Sequence, residues 1–240
     1  MNLFLFDLET TGIKAEENEI IELSFYNYNL DTWFESLVYS DIPNSAEDIN
    51  KISSAMIKGA PSFLEIVPGL EEFITQEPCF LVAHNGDAFD VPYLKKHYKM
   101  INREFPSNWK FIDTLKISRT LMPSLKSHTL QKLCQQISPD LQVTHRSRDD
   151  VLCLKALLDT WLEQRNITEL YQISFNYLIP KMPFGKHKNK KFEDIPLDYI
   201  QWMINKGIFE KDFELAKAFW KKQPYFKDTI ELMYPSLAEI

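Results

Sequence analysis

Two acidic residues lie two positions apart at the end of an apolar segment close to the N-terminus. Residues 4–12 read FLFDLETTG, so Asp7 and Glu9 follow a run of large apolar side chains. Alternate side chains of a β-strand point to the same face of the sheet, which would bring the two carboxylates together. Carboxylates at that distance repel each other unless they share a proton or bind a cation. Taken alone, the spacing is also compatible with two solvated acids at a strand end.

A second polar segment, residues 83–90 (AHNGDAFD), follows directly on the apolar run of residues 79–83. Functional groups of α/β proteins collect just beyond the carboxyl ends of strands, and Asp90 has such a position. Asp90 is equally well placed to cap the helix expected to start at Val91. Asp87 is expected in a turn or as a cap.

A third segment, residues 145–150 (HRSRDD), places a histidine just before a predicted helix. His145 suits the removal of a proton from water near neutral pH, because the ordinary pKa of histidine is about 6.5. Asp149 and Asp150 could instead complement the helix dipole. Carboxylates bind hard cations, so this set of side chains suits hydrolysis assisted by two divalent cations.

The surrounding sequence predicts the elements that hold these residues. Three opening strands followed by strands that alternate with helices indicate a mixed sheet with helices packed on it. The predicted strands start with the run from residue 4 and continue with residues 19–26, 32–39, 79–83 and 110–115. The predicted helices cover residues 63–74, which Pro68 could interrupt, and residues 91–100, 130–137 and 151–162.

Residues 166–183 have an irregular pattern, which indicates a domain boundary near residue 175. Residues 182–192 form a basic segment with a turn, in which Asn189 tolerates the left-handed conformation. Helices are predicted for residues 196–204 and 213–222, with Trp202 and Trp220 expected to anchor a small core.

Composition separates an acidic body from a basic segment. The 240 residues carry a net charge of −7, but residues 1–180 contribute −9 and residues 181–227, with 11 lysines and six acids, contribute +5. This distribution fits a cation site beside an anion-binding attachment.

There is no apolar run long enough to cross a membrane and no export signal pattern, so a cytoplasmic protein with buried, reduced cysteines is expected.

The three polar segments, in this order, resemble the motifs of the DnaQ-like, DEDDh-type 3′-to-5′ exonucleases, and the resemblance spans roughly residues 1–165. The spacing between Asn85 and Phe89 is similar to that of the three-prime repair branch. Residues 182–188 (MPFGKHK) resemble the C-terminal domain of exonuclease X-like bacterial proteins, with Asn189 where glycine is expected. The resemblance implies an α/β, ribonuclease H-like mixed five-stranded sheet flanked by helices in residues 1–175, and a small basic C-terminal domain in residues 176–240.

The resemblance also implies the roles of the acidic residues. Two Mg²⁺ or Mn²⁺ ions would activate water and stabilise the leaving 3′ oxygen. The histidine class is favoured because Arg146 stands where the sister class has tyrosine, and the family spacing selects Asp150 over Asp149. The ions would be held by Asp7, Glu9, Asp90 and Asp150, with His145 as the general base.

Substrate contacts are expected in two places, each with a simpler alternative. The turn after Glu9 would meet the terminal nucleotide, with Ile13 either a wedge against the last bases or an ordinary turn residue, and Asn85 could contact substrate or only tie the strand end to a loop. Exposed lysines could bind phosphates or simply be solvated. The candidates are Thr10, Thr11, Gly12, Ile13, His84, Asn85, Lys186 and Lys188, with Lys190 and Lys191 beside them.

The leading hypothesis is a metal-dependent nuclease that trims single-stranded or frayed 3′ ends of DNA. The alternatives are a 3′ exoribonuclease, since no residue visibly tests a 2′-hydroxyl group, a non-catalytic nucleic-acid-binding module, and a small-molecule metallohydrolase. The expected partner is therefore nucleic acid, with DNA favoured, RNA an alternative and no membrane. A homodimer is compatible with the sequence.

Overall fold

The computed structural model describes residues 2–74, 77–209, 212–234 and 237. The chain divides into two compact units, the first ending at Phe175 and the second beginning at Asn176. Each unit has its own hydrophobic core.

A five-stranded sheet with the order β3-β2-β1-β4-β5 forms the centre of the first unit. The first three strands are antiparallel, whereas β4 and β5 run parallel to β1. This arrangement confirms the predicted mixed sheet. The strands are β1 (Asn2–Thr10), β2 (Ile20–Asn27), β3 (Thr32–Leu37), β4 (Cys79–Ala83) and β5 (Trp109–Asp113).

Helices cover both faces of this sheet. The helices of the first unit are α1 (Glu47–Asn50), α2 (Ser54–Ile57), α3 (Phe63–Phe73), α4 (Asp90–Met100), α5 (Thr114–Leu121), α6 (Leu130–Ile137), α7 (Ser147–Leu162) and α8 (Ile167–Asn176). Alternation along β1 separates two cores: Phe4 and Phe6 pack with α3 and α4, whereas Leu3 and Leu5 pack with α6 and α7.

Several predicted boundaries are wrong. The strand predicted for residues 110–115 ends at Asp113, because the Asp113 side chain accepts a hydrogen bond from the Leu115 backbone N–H and starts α5. The strand predicted to end at residue 39 ends at Leu37. Pro68 does not interrupt α3.

The segment predicted to be irregular contains α8. The helix begins beside Asn166, whose side chain accepts a hydrogen bond from the Glu169 N–H, and it buries Leu170 against the core. Ile167, Tyr171 and Ile173 also pack against this core and Ser174 is buried, so an apolar stripe stabilises the helix together with the Asn166 cap.

The second unit packs α9 (Leu197–Asn205), α10 (Phe213–Lys222) and α11 (Lys227–Met233) around its own core. Trp220 is buried in this core, as predicted, but the expectation for Trp202 is wrong, because this side chain is 45% exposed. Asn189 has the predicted left-handed conformation, with φ 68°.

The described residues include no helix that is both long and apolar enough to cross a bilayer. Cys79, Cys134 and Cys153 are buried free thiols, as predicted.

Candidate active site

The carboxyl end of β1 presents Asp7 and Glu9 on the side of the sheet that faces α7. These residues continue the alternate series of Leu3 and Leu5, which pack with α6 and α7. Asp150, in the first turn of α7, lies on the same side: ligand atoms of Glu9, His145 and Asp150 all lie within 4.8 Å of one another. The strand and the helix therefore bring two of the sequence motifs together.

Asp90 brings the remaining motif to the cluster from the start of α4. Its side chain is buried, and its charge contributes to the electrostatic environment of both Asp7 and Glu9. Within the part of the chain that the structure describes, the Oδ1 atom of Asp90 has no hydrogen-bond partner. A buried carboxylate oxygen without a donor is unfavourable by itself and suits a cation ligand.

Burial and mutual repulsion favour the protonated forms of these acids. Burial raises the pKa of Asp7 well above its ordinary value, and the charges of Asp90, Asp150 and Glu9 raise it further. Burial raises the pKa of Glu9 to about 9, that of Asp90 to about 8 and that of Asp150 to about 7. A site of this kind holds protons unless positive charge is supplied, so the donor set fits divalent cations.

The helix phase distinguishes the two adjacent acids of α7. Asp150 is buried and accepts a hydrogen bond from the Thr144 N–H at 3.0 Å. Asp149 points elsewhere and accepts a hydrogen bond from the Thr144 hydroxyl group at 2.7 Å. His145 is exposed and has φ 57°, a conformation that is uncommon for a residue with a Cβ atom. The turn before α7 thus holds a solvent-accessible imidazole beside the buried acids.

Glu22 is a buried acid of this region that the sequence motifs do not include. It is the neighbour of Glu9 across the β1–β2 ladder. Its carboxylate accepts hydrogen bonds from the Arg146 guanidinium group and from the Ser147 backbone N–H, the latter at 3.0 Å. Glu22 therefore fixes the first turn of α7, and with it the positions of His145 and Asp150. A charged residue within the mainly apolar segment of β2 is the sequence signal that points to it, whereas its pairing with Glu9 is visible only in the structure.

The turn after Glu9 is held mainly by internal hydrogen bonds. The carbonyl oxygen of Gly12 accepts hydrogen bonds from the hydroxyl groups of Thr10, at 2.6 Å, and Tyr93, at 2.7 Å. The Thr11 hydroxyl group donates to the Asn18 side chain. A Cβ atom on Gly12 would lie 2.4 Å from that side chain, so a larger residue would require the Asn18 side chain to move.

Thr10, Thr11 and Gly12 are thus buried, and they shape the turn with their side chains and carbonyl groups. Ile13 differs from them, because its side chain is 84% exposed. Of the four residues predicted to meet substrate in this turn, Ile13 is the one whose side chain is free to do so.

His84 and Asn85 follow β4 and are tied to the junction between β5 and α5. The Nδ1 atom of His84 lies 2.9 Å from the Thr114 hydroxyl oxygen, and the Asn85 N–H donates to Asp113 at 2.9 Å. Burial lowers the pKa of His84 to about 4, so its ring is neutral at neutral pH. Both residues therefore have structural partners as well as a position at the edge of the site.

A cleft with a volume of about 510 Å³ lies at this junction. No acidic side chain lines it, although the first unit as a whole is acidic, and neither Arg119 nor Lys126 has a salt bridge among the residues that the structure describes. In the parallel pairing of β1 with β4, Leu5 lies beside Val82. Two residues further along each segment, the cleft residue His84 is therefore level with Asp7. Its lining residues are His84, Asn85, Leu115, Arg119, Lys126, His128, Thr129 and Leu130.

The remaining predicted site residues belong to the second unit. Lys186 and Lys188 are exposed on a turn that the Met182 N–H closes by donating to the Lys190 carbonyl group at 2.9 Å. Asp87, expected in a turn or as a cap, forms a salt bridge of 2.5 Å with the buried Lys116.

Comparison with known proteins agrees with this geometry. The sequence model of the exonuclease family (RNase_T) matches residues 4–158, and that of a putative quorum-sensing-regulated virulence factor matches residues 172–213. The epsilon subunit of DNA polymerase III from Treponema pallidum is 34% identical over 65% of this chain and 74% of its own length. A PolC-type DNA polymerase III from Mycoplasma pneumoniae is 31% identical over 70% of this chain, which spans only 12% of that relative.

The fold is also that of solved exonucleases. Exonuclease X, solved in complex with 5′-overhanging duplex DNA, superposes with a TM-score of 0.54 at 22% identity, covering 72% of this chain and 99% of that one. The family match covers the strands and helices that carry all three acidic motifs. The chain therefore belongs to the DEDDh family of 3′-to-5′ exonucleases.

Proposed function

We propose that this protein is a metal-dependent 3′-to-5′ exodeoxyribonuclease that releases nucleoside 5′-monophosphates from single-stranded or frayed 3′ ends. The observation that carries the proposal is the convergence of buried acids from β1, α4 and α7 beside an exposed histidine. Four carboxylates with raised pKa values form a donor set for hard cations.

The carboxylates of Asp7, Glu9, Asp90 and Asp150 would hold two divalent ions, Mg²⁺ or Mn²⁺. When bound, these ions supply the positive charge that activates water and stabilises the leaving 3′ oxygen. His145 accepts the proton of the attacking water, because its ring is solvent-accessible and its nitrogen lies within 4.8 Å of carboxylate oxygens of Glu9 and Asp150. Ile13 projects from the buried turn and separates the last bases of the substrate.

The cleft beside His84 supports a polyanionic substrate. Arg119 and Lys126 provide positive charge next to an acidic centre, which suits the phosphates of a strand that enters the site. The choice of DNA rests on the relatives of this chain, which include a DNA polymerase III subunit and the 3′-5′ exonuclease DinG of Staphylococcus haemolyticus.

The test uses 5′-labelled DNA and RNA strands of equal sequence, incubated with Mg²⁺, with Mn²⁺ or with EDTA. The expected result is a ladder of shortened DNA that EDTA suppresses and that Asp7→Asn abolishes. Degradation of RNA but not of DNA would identify the protein as an exoribonuclease. Binding without cleavage in the presence of either Mg²⁺ or Mn²⁺ would overturn the proposal. Circular dichroism of the variant checks that its fold is intact.

A further inference from the structure

An aromatic pair on α9 presents one ring to solvent. Tyr199 and Trp202 stack with their ring centroids 5.2 Å apart and their planes 22° from parallel. Tyr199 is 8% exposed, whereas Trp202 is 45% exposed. Tyr199 thus anchors the pair in the second unit, while Trp202 offers a large aromatic surface that the core of this unit does not use.

The turn of residues Gly185–His187 packs on the anchored ring. Gly185 has φ 69°, and a Cβ atom there would lie 2.4 Å from the Tyr199 hydroxyl oxygen, so only glycine allows this contact. The His187 ring packs edge-on against Tyr199 with the centroids 4.6 Å apart. Neither ring nitrogen of this buried histidine has a hydrogen-bond partner in the described part of the chain. Packing on Tyr199 is therefore what His187 contributes.

The same turn brings positive charge to the aromatic pair. The Nζ atom of Lys186 lies 5.1 Å from the centroid of the Tyr199 ring. Lys188, Lys190 and Lys191 follow closely in the sequence and are exposed, and none of these lysines has a salt bridge among the residues described. Because residues 181–227 carry a net charge of +5 in a chain of −7, this surface is complementary to an anion.

We propose that the surface formed by Trp202, Tyr199, Lys186 and Lys188 binds single-stranded nucleic acid, with a base stacked on Trp202 and phosphates beside the lysines. The choice of nucleic acid as the ligand of this surface rests on the proposed nuclease function. Aromatic rings bind bases of any sequence through their faces, and lysines bind the backbone, which together give retention without sequence preference.

The test measures binding by the full chain carrying Asp7→Asn, which prevents degradation. The probes are an oligothymidylate of about 15 nucleotides and an abasic strand with the same number of phosphates. Trp202→Ala should raise the Kd for the oligothymidylate by at least about fivefold and leave the Kd for the abasic strand unchanged. Trp202→Phe should restore most of the affinity, and Lys186→Gln should weaken the binding of both probes.

Tyr225→Ala is the matched control, because this aromatic side chain is 78% exposed in the same unit and has no role in the surface. An equal Kd for Trp202→Ala and the unsubstituted protein, or an equal loss in the Tyr225→Ala control, would overturn the proposal. Hydrolysis of a dinucleotide by a protein with an intact Asp7 is measured separately. This measurement distinguishes failure of the binding proposal from failure of the proposed nuclease function. The unsubstituted protein should hydrolyse the dinucleotide, whereas a protein without nuclease activity would hydrolyse none.

Discussion

The Nε atom of Arg146 lies 3.1 Å from both carboxylate oxygens of Glu22. Because Arg146 directly precedes α7, this contact joins the start of that helix to β2. The Ser147 backbone N–H donates to the same carboxylate, which caps the helix. Because His145 and Asp150 flank this contact, a pair that does not itself belong to the acidic motifs sets the geometry of half the site.

Glu22→Gln should lower the free energy of unfolding by about 1–3 kcal/mol, since the amide is a weaker acceptor for a charged donor in a buried position. The loss of a charge beside Glu9 offsets part of this effect. Urea denaturation measures the change. Glu35→Gln is the control, because Glu35 pairs with Arg148 at a more exposed position and should cost less than about 1 kcal/mol. Equal losses in the two variants would contradict a structural role for the Arg146 pair.

Asp150→Asn should reduce nucleotide release by about 10³-fold or more, since removal of a group that stabilises the transition state costs this much. Asp149→Asn should keep the rate within a few-fold, because that side chain is bonded to Thr144 outside the cluster. Single-turnover cleavage of a labelled strand measures both rates. A reversed order would show that Asp149 is the ligand.

The metal-free protein should become less stable as the pH rises from about 4 to about 9. The folded-state pKa values of Glu9, Asp90 and Asp150 are raised to about 9, 8 and 7. Acids of this kind contribute stability that is complete below their unfolded pKa values, of about 4, and is lost as the pH passes the raised values.

Thermal unfolding in EDTA across this pH range measures the loss. Added Mg²⁺ should raise the melting temperature most at the alkaline end, where the acids are ionised and bind the cation. A pH slope that is the same in EDTA and in Mg²⁺ would show that the cluster does not bind the ion.

Ile13→Ala should leave stability within about 0.5 kcal/mol, because the side chain is already in water. It should slow degradation of frayed duplex ends more than that of single strands, if the side chain separates terminal bases. Leu30→Ala, at another exposed apolar residue of the first unit, is the control and should change neither rate.

Lys126→Gln should raise the KM for a single strand and reduce the magnitude of the slope of log Kd against log salt by about 0.7, the value for one lost phosphate contact. Lys132→Gln, an exposed lysine on α6 outside the cleft, should leave the slope unchanged. Binding titrations at several salt concentrations measure these slopes. Identical slopes for the two variants would show that Lys126 does not contact a phosphate of the substrate.

Strand alternation, which is local, predicted that Asp7 and Glu9 share one face of the sheet, whereas the sequence did not fix the helix phase of Asp149 and Asp150, and the family spacing selected Asp150. Glu22 could not be recognised in this way, since its role arises from pairing with β1 and with α7, far away in sequence. The start of α5 at Thr114 depends on one capping side chain, that of Asp113, which has no effect on hydrophobic periodicity. The helix α8 has only a short apolar stripe beside its Asn166 cap. The exposure of Trp202 follows from the packing of Tyr199 beneath a turn, which the residue type alone does not reveal.

The alternation of side chains along β1 links the correct register of this strand to the proposed binding of metal ions. Leu3, Leu5, Asp7 and Glu9 form one series, and Phe4, Phe6 and Leu8 the other. A shift of β1 by one residue would move both carboxylates into the opposite core and place apolar side chains in the proposed cation site. Under the proposed function, misaligned molecules would have no competent cation site, so the stoichiometry of bound metal in a preparation would report the fraction of chains whose central strand is paired correctly.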